Sequence, residues 1–95
     1  MTSKERAALR SQAHHLDPII NVGKESLTPE VTAAIDEALE ARELIKITTL
    51  ETAPDSAKNL SFEIAERTNS IVVQVIGNKI TLFRQRKKDS KIELP

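Results

Sequence analysis

Apolar positions along this chain change period several times, and each change marks an element. Leu9, Ala13 and Leu16 share one helical stripe. Thr2 with Glu5 three residues later has the spacing of a capping box before that stripe, and Asp17-Pro18 stops it. Arg6, Arg10 and His14 recur every fourth residue and line a second flank of the same helix. Ile19, Ile20 and Val22 form a short apolar strand ended by Gly23.

The second helix is the most strongly marked. Thr28 suits the N-cap, Pro29 the first helical position and Glu30 the positive helix end, with Val31, Ile35, Ala38 and Leu39 as the buried stripe. A β-branched run, Leu44 to Leu50, then reads as a strand. Pro54-Asp55-Ser56 opens a third helix with Ala57, Leu60 and Ile64 inward, Phe62 outward, and Asn69 closing it in a left-handed conformation. Two further strands, Ile71–Ile76 and Lys79–Arg84, flank the hairpin signal Gly77-Asn78. The order α-β-α-β-α-β-β predicts an α/β fold, a mixed four-stranded sheet with packed helices. Each β-α-β step is expected to give a parallel pair, and the hairpin an antiparallel one.

Composition narrows the classes. The 95 residues, 39% hydrophobic and 29% charged, suit one domain spanning 1–95. There is no cysteine, hence no disulfide, thiol nucleophile or cysteine zinc site. No apolar run approaches a membrane span, and the N-terminus MTSKERAALR has no signal-peptide core, so a cytoplasmic protein with no membrane partner is expected.

Charge alters the picture further. The formal net charge is zero, but residues 1–24 carry +2, residues 25–66 carry −7 and residues 67–95 carry +5. The chain is expected to be a charge dipole in sequence and in space. Glu37, Glu40 and Glu43 are expected to hold the outer face of the second helix in water.

Candidate chemistry centres on Val22–Pro29, a short polar loop from a strand into a capped helix. Free backbone N–H groups and the helix dipole suit a phosphate there, Lys24 adds a cation, Gly23 permits close approach and Glu25 opposes an anion unless it points away. The same segment reads equally as an ordinary β-α turn. His14-His15 lack further ligands for a metal, and the chain has no Tyr, no Cys and no Ser-His-Asp spacing, so neither cofactor, small-molecule substrate nor enzymatic activity is expected. Only Phe62 and Phe83 are aromatic, which disfavours a base-stacking platform and favours backbone and shape contacts to folded RNA.

The stretch Pro18-Ile19-Ile20-Asn21-Val22-Gly23-Lys24-Glu25-Ser26-Leu27-Thr28-Pro29-Glu30-Val31, with Ala38–Lys46, Val73–Gly77, Leu82–Arg84 and Lys91–Pro95, resembles the CRM (chloroplast RNA splicing and ribosome maturation) domain, in particular its stand-alone bacterial YhbY-type members. The resemblance implies a fold similar to the C-terminal domain of translation initiation factor three. It also implies RNA binding, for the bacterial members to ribosomal RNA in the large-subunit precursor. The family's GxxG loop falls on Gly23, Lys24, Glu25 and Ser26, with Ser26 in place of the second glycine. A serine there is expected to pose the loop differently, because Ser lacks ready access to positive φ. Phe83 stands where many members have Tyr, and Asn69 replaces a usual Gly.

The expected protein is therefore a monomeric, non-catalytic RNA binder. Its expected contacts are the 23–26 loop, Arg6, Arg10, Arg84, Arg86, Lys87 and Lys88. The competing reading is a protein–protein adaptor using the acidic helix face or an exposed Phe62.

Overall fold

The computed structural model describes all 95 residues, Met1–Pro95. Its elements are α1 (Ser3–Ala13), β1 (Ile20–Val22), α2 (Pro29–Arg42), β2 (Leu44–Thr49), α3 (Ala57–Thr68), β3 (Ile71–Ile76) and β4 (Lys79–Phe83), the order expected from the sequence.

The helix starts follow local capping chemistry. Thr2 and Glu5 form a reciprocal capping box at α1, Thr28 Oγ1 accepts the Val31 amide with Pro29 at the first position of α2, and Ser56 caps α3 through Asn59. Asn69 closes α3 at φ 52°, ψ 46°, the left-handed geometry that Asn tolerates. Helix α1 ends one residue before His14, so Leu16 packs from the following turn rather than from the helix.

The sheet order is β1-β2-β4-β3. Strands β1 and β2 pair in parallel, with Val22 opposite Thr49. The second β-α-β step departs from expectation: β3 runs in the direction of β2 but does not pair with it, because β4 lies between them, antiparallel to both. The Gly77-Asn78 turn folds β4 back into the slot between β2 and β3, where both of its edges are satisfied. Ile80 and Leu82 of β4 are accordingly fully buried.

The two faces of the sheet carry separate cores. Helices α2 and α3 cover the first face over Val22, Ile45, Ile47, Ile80 and Leu82, into which Ile35, Leu39, Leu60 and Ile64 insert. Full burial of each such side chain contributes about 1.5–3 kcal/mol. Helix α1 covers only one end of the second face, packing Leu9 and Ala13 on Leu44, Val73 and Phe83, with Leu16, Ile92 and Leu94 closing the rim.

Strand β3 bulges between Val72 and Gln74. The bulge turns Val73 into the α1 core, and Arg6 donates to the carbonyls of both Val72 (2.6 Å) and Val73 (2.9 Å). Arg6 thus caps a stretch of the outer edge of the sheet.

Candidate nucleic-acid interface

The 23–26 loop leaves the C-terminal end of β1 and turns back into α2. The Ser26 amide donates to the Gly23 carbonyl at 2.9 Å, closing a four-residue turn. Contrary to the sequence expectation, Ser26 takes φ 57°, so it occupies the left-handed conformation that a glycine would adopt there. The turn is imposed by its anchors, which outweigh the roughly 1–2 kcal/mol preference of a non-glycine residue against that region. Leu27 is buried in the core one residue later, and Leu50 donates its amide to the Val22 carbonyl one residue before the loop. Gly23 is needed for space rather than for φ: a Cβ there would lie 3.3 Å from Leu50 Cδ1 and 3.5 Å from Thr52 Oγ1.

Lys24 and Glu25 are both exposed at the tip. One residue on α3 supports the loop and was not singled out by its sequence context. Arg67 donates to the Leu27 carbonyl at 3.2 Å and pairs with Glu63 at 2.8 Å. Its pairing with Glu63 is local, but no local signal marks its contact with the loop, because Leu27 lies 40 residues away.

The basic C-terminal run sits elsewhere. The loop follows the end of β1 that pairs with Thr49, whereas Arg84 follows the end of β4 that pairs with Leu44. Five residues of β2 separate these levels, roughly 17 Å along the strands. The loop and the tail are therefore at opposite ends of the sheet.

Within the tail, arginines and lysines divide. The Arg84 guanidinium, 20% exposed, binds the Asp36 carboxylate, the Thr68 carbonyl (2.8 Å), the Asp36 carbonyl (3.0 Å) and Glu40 (3.4 Å). Arg86 reaches the Asp89 carbonyl at 2.7 Å and lies 3.7 Å from the Glu43 carboxylate. Lys87 and Lys88 are exposed and make no ion pair. They line, with Gln85, Asn69 and the two arginines, an open cleft of about 560 Å³ that has no hydrophobic wall.

Glu43 corrects the expectation of an outward-facing carboxylate. It is 1% exposed at the C-cap of α2, with φ 67° and ψ −43°. Its oxygens accept from Ser90 Oγ (2.6 Å) and from the amides of Arg86 (2.9 Å) and Lys91 (2.7 Å). Burial pushes its pKa up, but the bonds from Ser90, Arg86 and Lys91 and the Arg86 charge outweigh this and hold it below the ordinary carboxylate value. The expected spatial dipole is thus partly neutralised, since Asp36, Glu40 and Glu43 fasten Arg84 and Arg86 to α2.

On the second face, Arg10 is exposed and lines an open groove with His14, His15, Gln74 and Ile76. The rings of His14 and His15 meet edge to face at 5.3 Å. No group of three or more His, Cys, Asp or Glu side chains is arranged to hold a metal ion. Phe62 is 62% exposed on the outer side of α3, as its helical position implied, and Phe83 is buried.

The family model of the CRS1 / YhbY (CRM) domain matches residues 1–84. A Bacillus subtilis protein named a probable RNA-binding protein, YqeI, is 41% identical over 95 residues, covering 100% of this chain and 99% of its own length. A Haemophilus influenzae protein named an RNA-binding protein is 33% identical over 95 residues, covering 100% and 95%. Among solved structures, the solution structure of a Staphylococcus aureus protein described as a candidate RNA-binding protein superposes with a TM-score of 0.84 at 42% identity, covering 100% of this chain and 99% of that one.

Proposed function

This chain belongs to the CRS1 / YhbY (CRM) domain family, and on that premise we propose that it is a non-catalytic, cytoplasmic RNA-binding protein. Its target in this reading is structured ribosomal RNA of the large-subunit precursor, bound by a monomer. The observation that carries the reading is the preserved loop. Ser26 holds the left-handed turn at φ 57°, leaving Lys24 exposed and without a carboxylate partner at the start of α2. A phosphate at that place meets backbone N–H groups, the helix dipole and a mobile cation together.

Lys87 and Lys88 supply a second group of free cations at the other end of the sheet, about 17 Å away by strand count. Two contact points at that spacing favour a folded target over a short flexible strand. Relatives named as RNA-binding proteins support RNA as the ligand class.

A filter-binding salt series tests the reading. Lys24→Ala is expected to weaken RNA binding and to flatten the log–log salt slope by about 0.7–0.9 for the lost phosphate contact. A Lys87→Ala/Lys88→Ala variant is expected to flatten it by about twice that. Unchanged slopes in both would overturn the assignment of these residues. Sucrose-gradient sedimentation of a lysate tests the target: co-migration with large-subunit particles, lost after RNase treatment, is the expected result, and a light, RNase-insensitive position would favour a protein partner.

A further inference from the structure

The half of the second sheet face left open by α1 carries basic and polar side chains, no acid on any of its strands, and one exposed apolar residue, Ile76. Alternation along the strands sets its composition. Ile20, Val22, Ile45, Ile47 and Ile80 enter the core under α2 and α3, so Asn21, Lys46, Thr48 and Lys79 point to the opposite face. Register then aligns them into two rows. Asn21, Thr48, Lys79 and Ile76 lie side by side across all four strands, and Lys46, Thr81 and Gln74 lie in the next row.

Lys46 and Lys79 are diagonal neighbours across β2 and β4, a relationship that spaces residues about 7–8 Å apart and their Cβ atoms somewhat less. Neither has an ion-pair partner, because the ion pairs of the structure use only Arg67, Arg84 and Arg86. Arg10 and His14 overlook the rows from α1, across a groove of about 490 Å³ that also takes in Gln74 and Ile76. The rows begin at Asn21, two residues before the Gly23 turn, so this surface is continuous with the loop. The opposite layer contrasts with it, since Glu30, Asp36, Glu37, Glu40, Glu63 and Glu66 are all exposed on α2 and α3.

We propose that this open sheet half is a second RNA-contacting surface, on which Lys46, Lys79 and Arg10 take the phosphodiester backbone of an A-form helix. The inference rests on the RNA-binding reading above and adds the form of the ligand. No aromatic side chain is available to stack an unpaired base here, because Phe83 is buried and Phe62 lies on the far side of the molecule. What the rows do offer is cations interleaved with Asn21, Thr48 and Gln74, side chains that both donate and accept. Phosphates and 2′-hydroxyls across the shallow minor groove of helical RNA present the matching partners.

The test is fluorescence anisotropy with three labelled probes: an RNA duplex of about 20 base pairs, the same sequence as duplex DNA, and one RNA strand alone. Tighter binding to the RNA duplex than to either other probe is expected. Lys46→Gln/Lys79→Gln removes the charge while keeping the first two methylenes of each side chain and a polar end, and it should lower the duplex salt slope by about 1.8, at roughly 0.9 per phosphate contact. A matching thermal melt and Lys46→Arg/Lys79→Arg, which should restore the slope, separate lost contacts from lost folding.

If the native protein binds RNA, Lys24→Ala weakens it and the double Gln variant leaves the duplex slope unchanged, the sheet surface is excluded while the RNA-binding reading stands. Preference for the single strand also overturns the inference alone. Failure of the native protein to bind any of the RNA probes overturns both.

Discussion

The Glu43 carboxylate accepts the backbone amide of Lys91 at 2.7 Å, tying the last residue of the α2 cap to a segment 48 residues away. The same carboxylate takes the Arg86 amide and the Ser90 hydroxyl, so it organises the whole turn that carries Lys87 and Lys88. A buried acceptor with three donors is a folding contact first. By fixing the turn it also fixes where two free lysines are displayed.

Replacing Glu43 by Ala is expected to destabilise the protein by about 2–4 kcal/mol, since buried donors lose a charged acceptor. Urea unfolding measures that cost. Amide exchange at Arg86 and Lys91 should accelerate more than exchange in β2, because the tail is released before the sheet opens.

The depressed pKa of Glu43 gives stability a pH dependence of definite sign. A carboxylate whose folded pKa lies below its unfolded value contributes stability that is present above the unfolded value, 4.5, and is lost as pH falls through the folded one. Thermal melts should therefore show Tm falling below that pH, and Glu43→Gln should have a shallower fall. Equal acid sensitivity in the variant would show that Glu43 is not the group responsible. Glu5 and Asp55 shift in the same direction, but their exposure leaves solvent to screen most of their effect.

Ser26 holds φ 57° without being glycine. Ser26→Gly should relieve about 1–2 kcal/mol of backbone strain, largely offset by the added freedom of the unfolded chain, for a net gain below about 1 kcal/mol. Ser26→Val should cost about 1–2 kcal/mol, because β-branching makes positive φ still less accessible. Differential scanning calorimetry resolves both, and a Val variant as stable as the native protein would mean that the turn is not held in this geometry.

Arg84→Ala should cost about 2 kcal/mol, as it leaves the Thr68 carbonyl and the Asp36 carboxylate without their shared donor. Arg84→Lys should recover only part of this, because one ammonium can stand in for the nitrogen that reaches the Thr68 carbonyl and the Asp36 carboxylate but not for the second one, which reaches the Asp36 carbonyl and Glu40. In the same salt series used for Lys87 and Lys88, Arg84 variants should change stability with little change in slope.

Arg6→Ala removes the donor that covers the Val72 and Val73 carbonyls on an edge strand. Sedimentation velocity should then show concentration-dependent self-association absent from the native chain. Monomeric behaviour at all concentrations would show that the bulge alone protects the edge.

Element types and most boundaries were legible in the residues, down to the capping box of Thr2 and Glu5, the Ser56 cap region and the left-handed Asn69. The outward position of Phe62 followed from helical spacing as well. These features depend on residues within one or two turns of one another, so the chain states them locally. The insertion of β4 between β2 and β3 was not legible, because a β-α-β step specifies direction without specifying which strand is the neighbour.

The candidate site divides on the same principle. That Gly23, Lys24, Glu25 and Ser26 form a turn before a capped helix was determined by the sequence itself, through Gly23 and the Thr28-Pro29 start. Which basic residues remain free was decided only by tertiary structure. Arg6, Arg84 and Arg86 look like Arg10, Lys87 and Lys88 in a charge count, yet the guanidinium groups of the first three bond groups 16–67 residues away or across the tail turn, and the others do not. A charge is spent or free according to what folding brings within about 3 Å of it, and that distance is set by the packing of α2 and α1 on the two faces of one sheet.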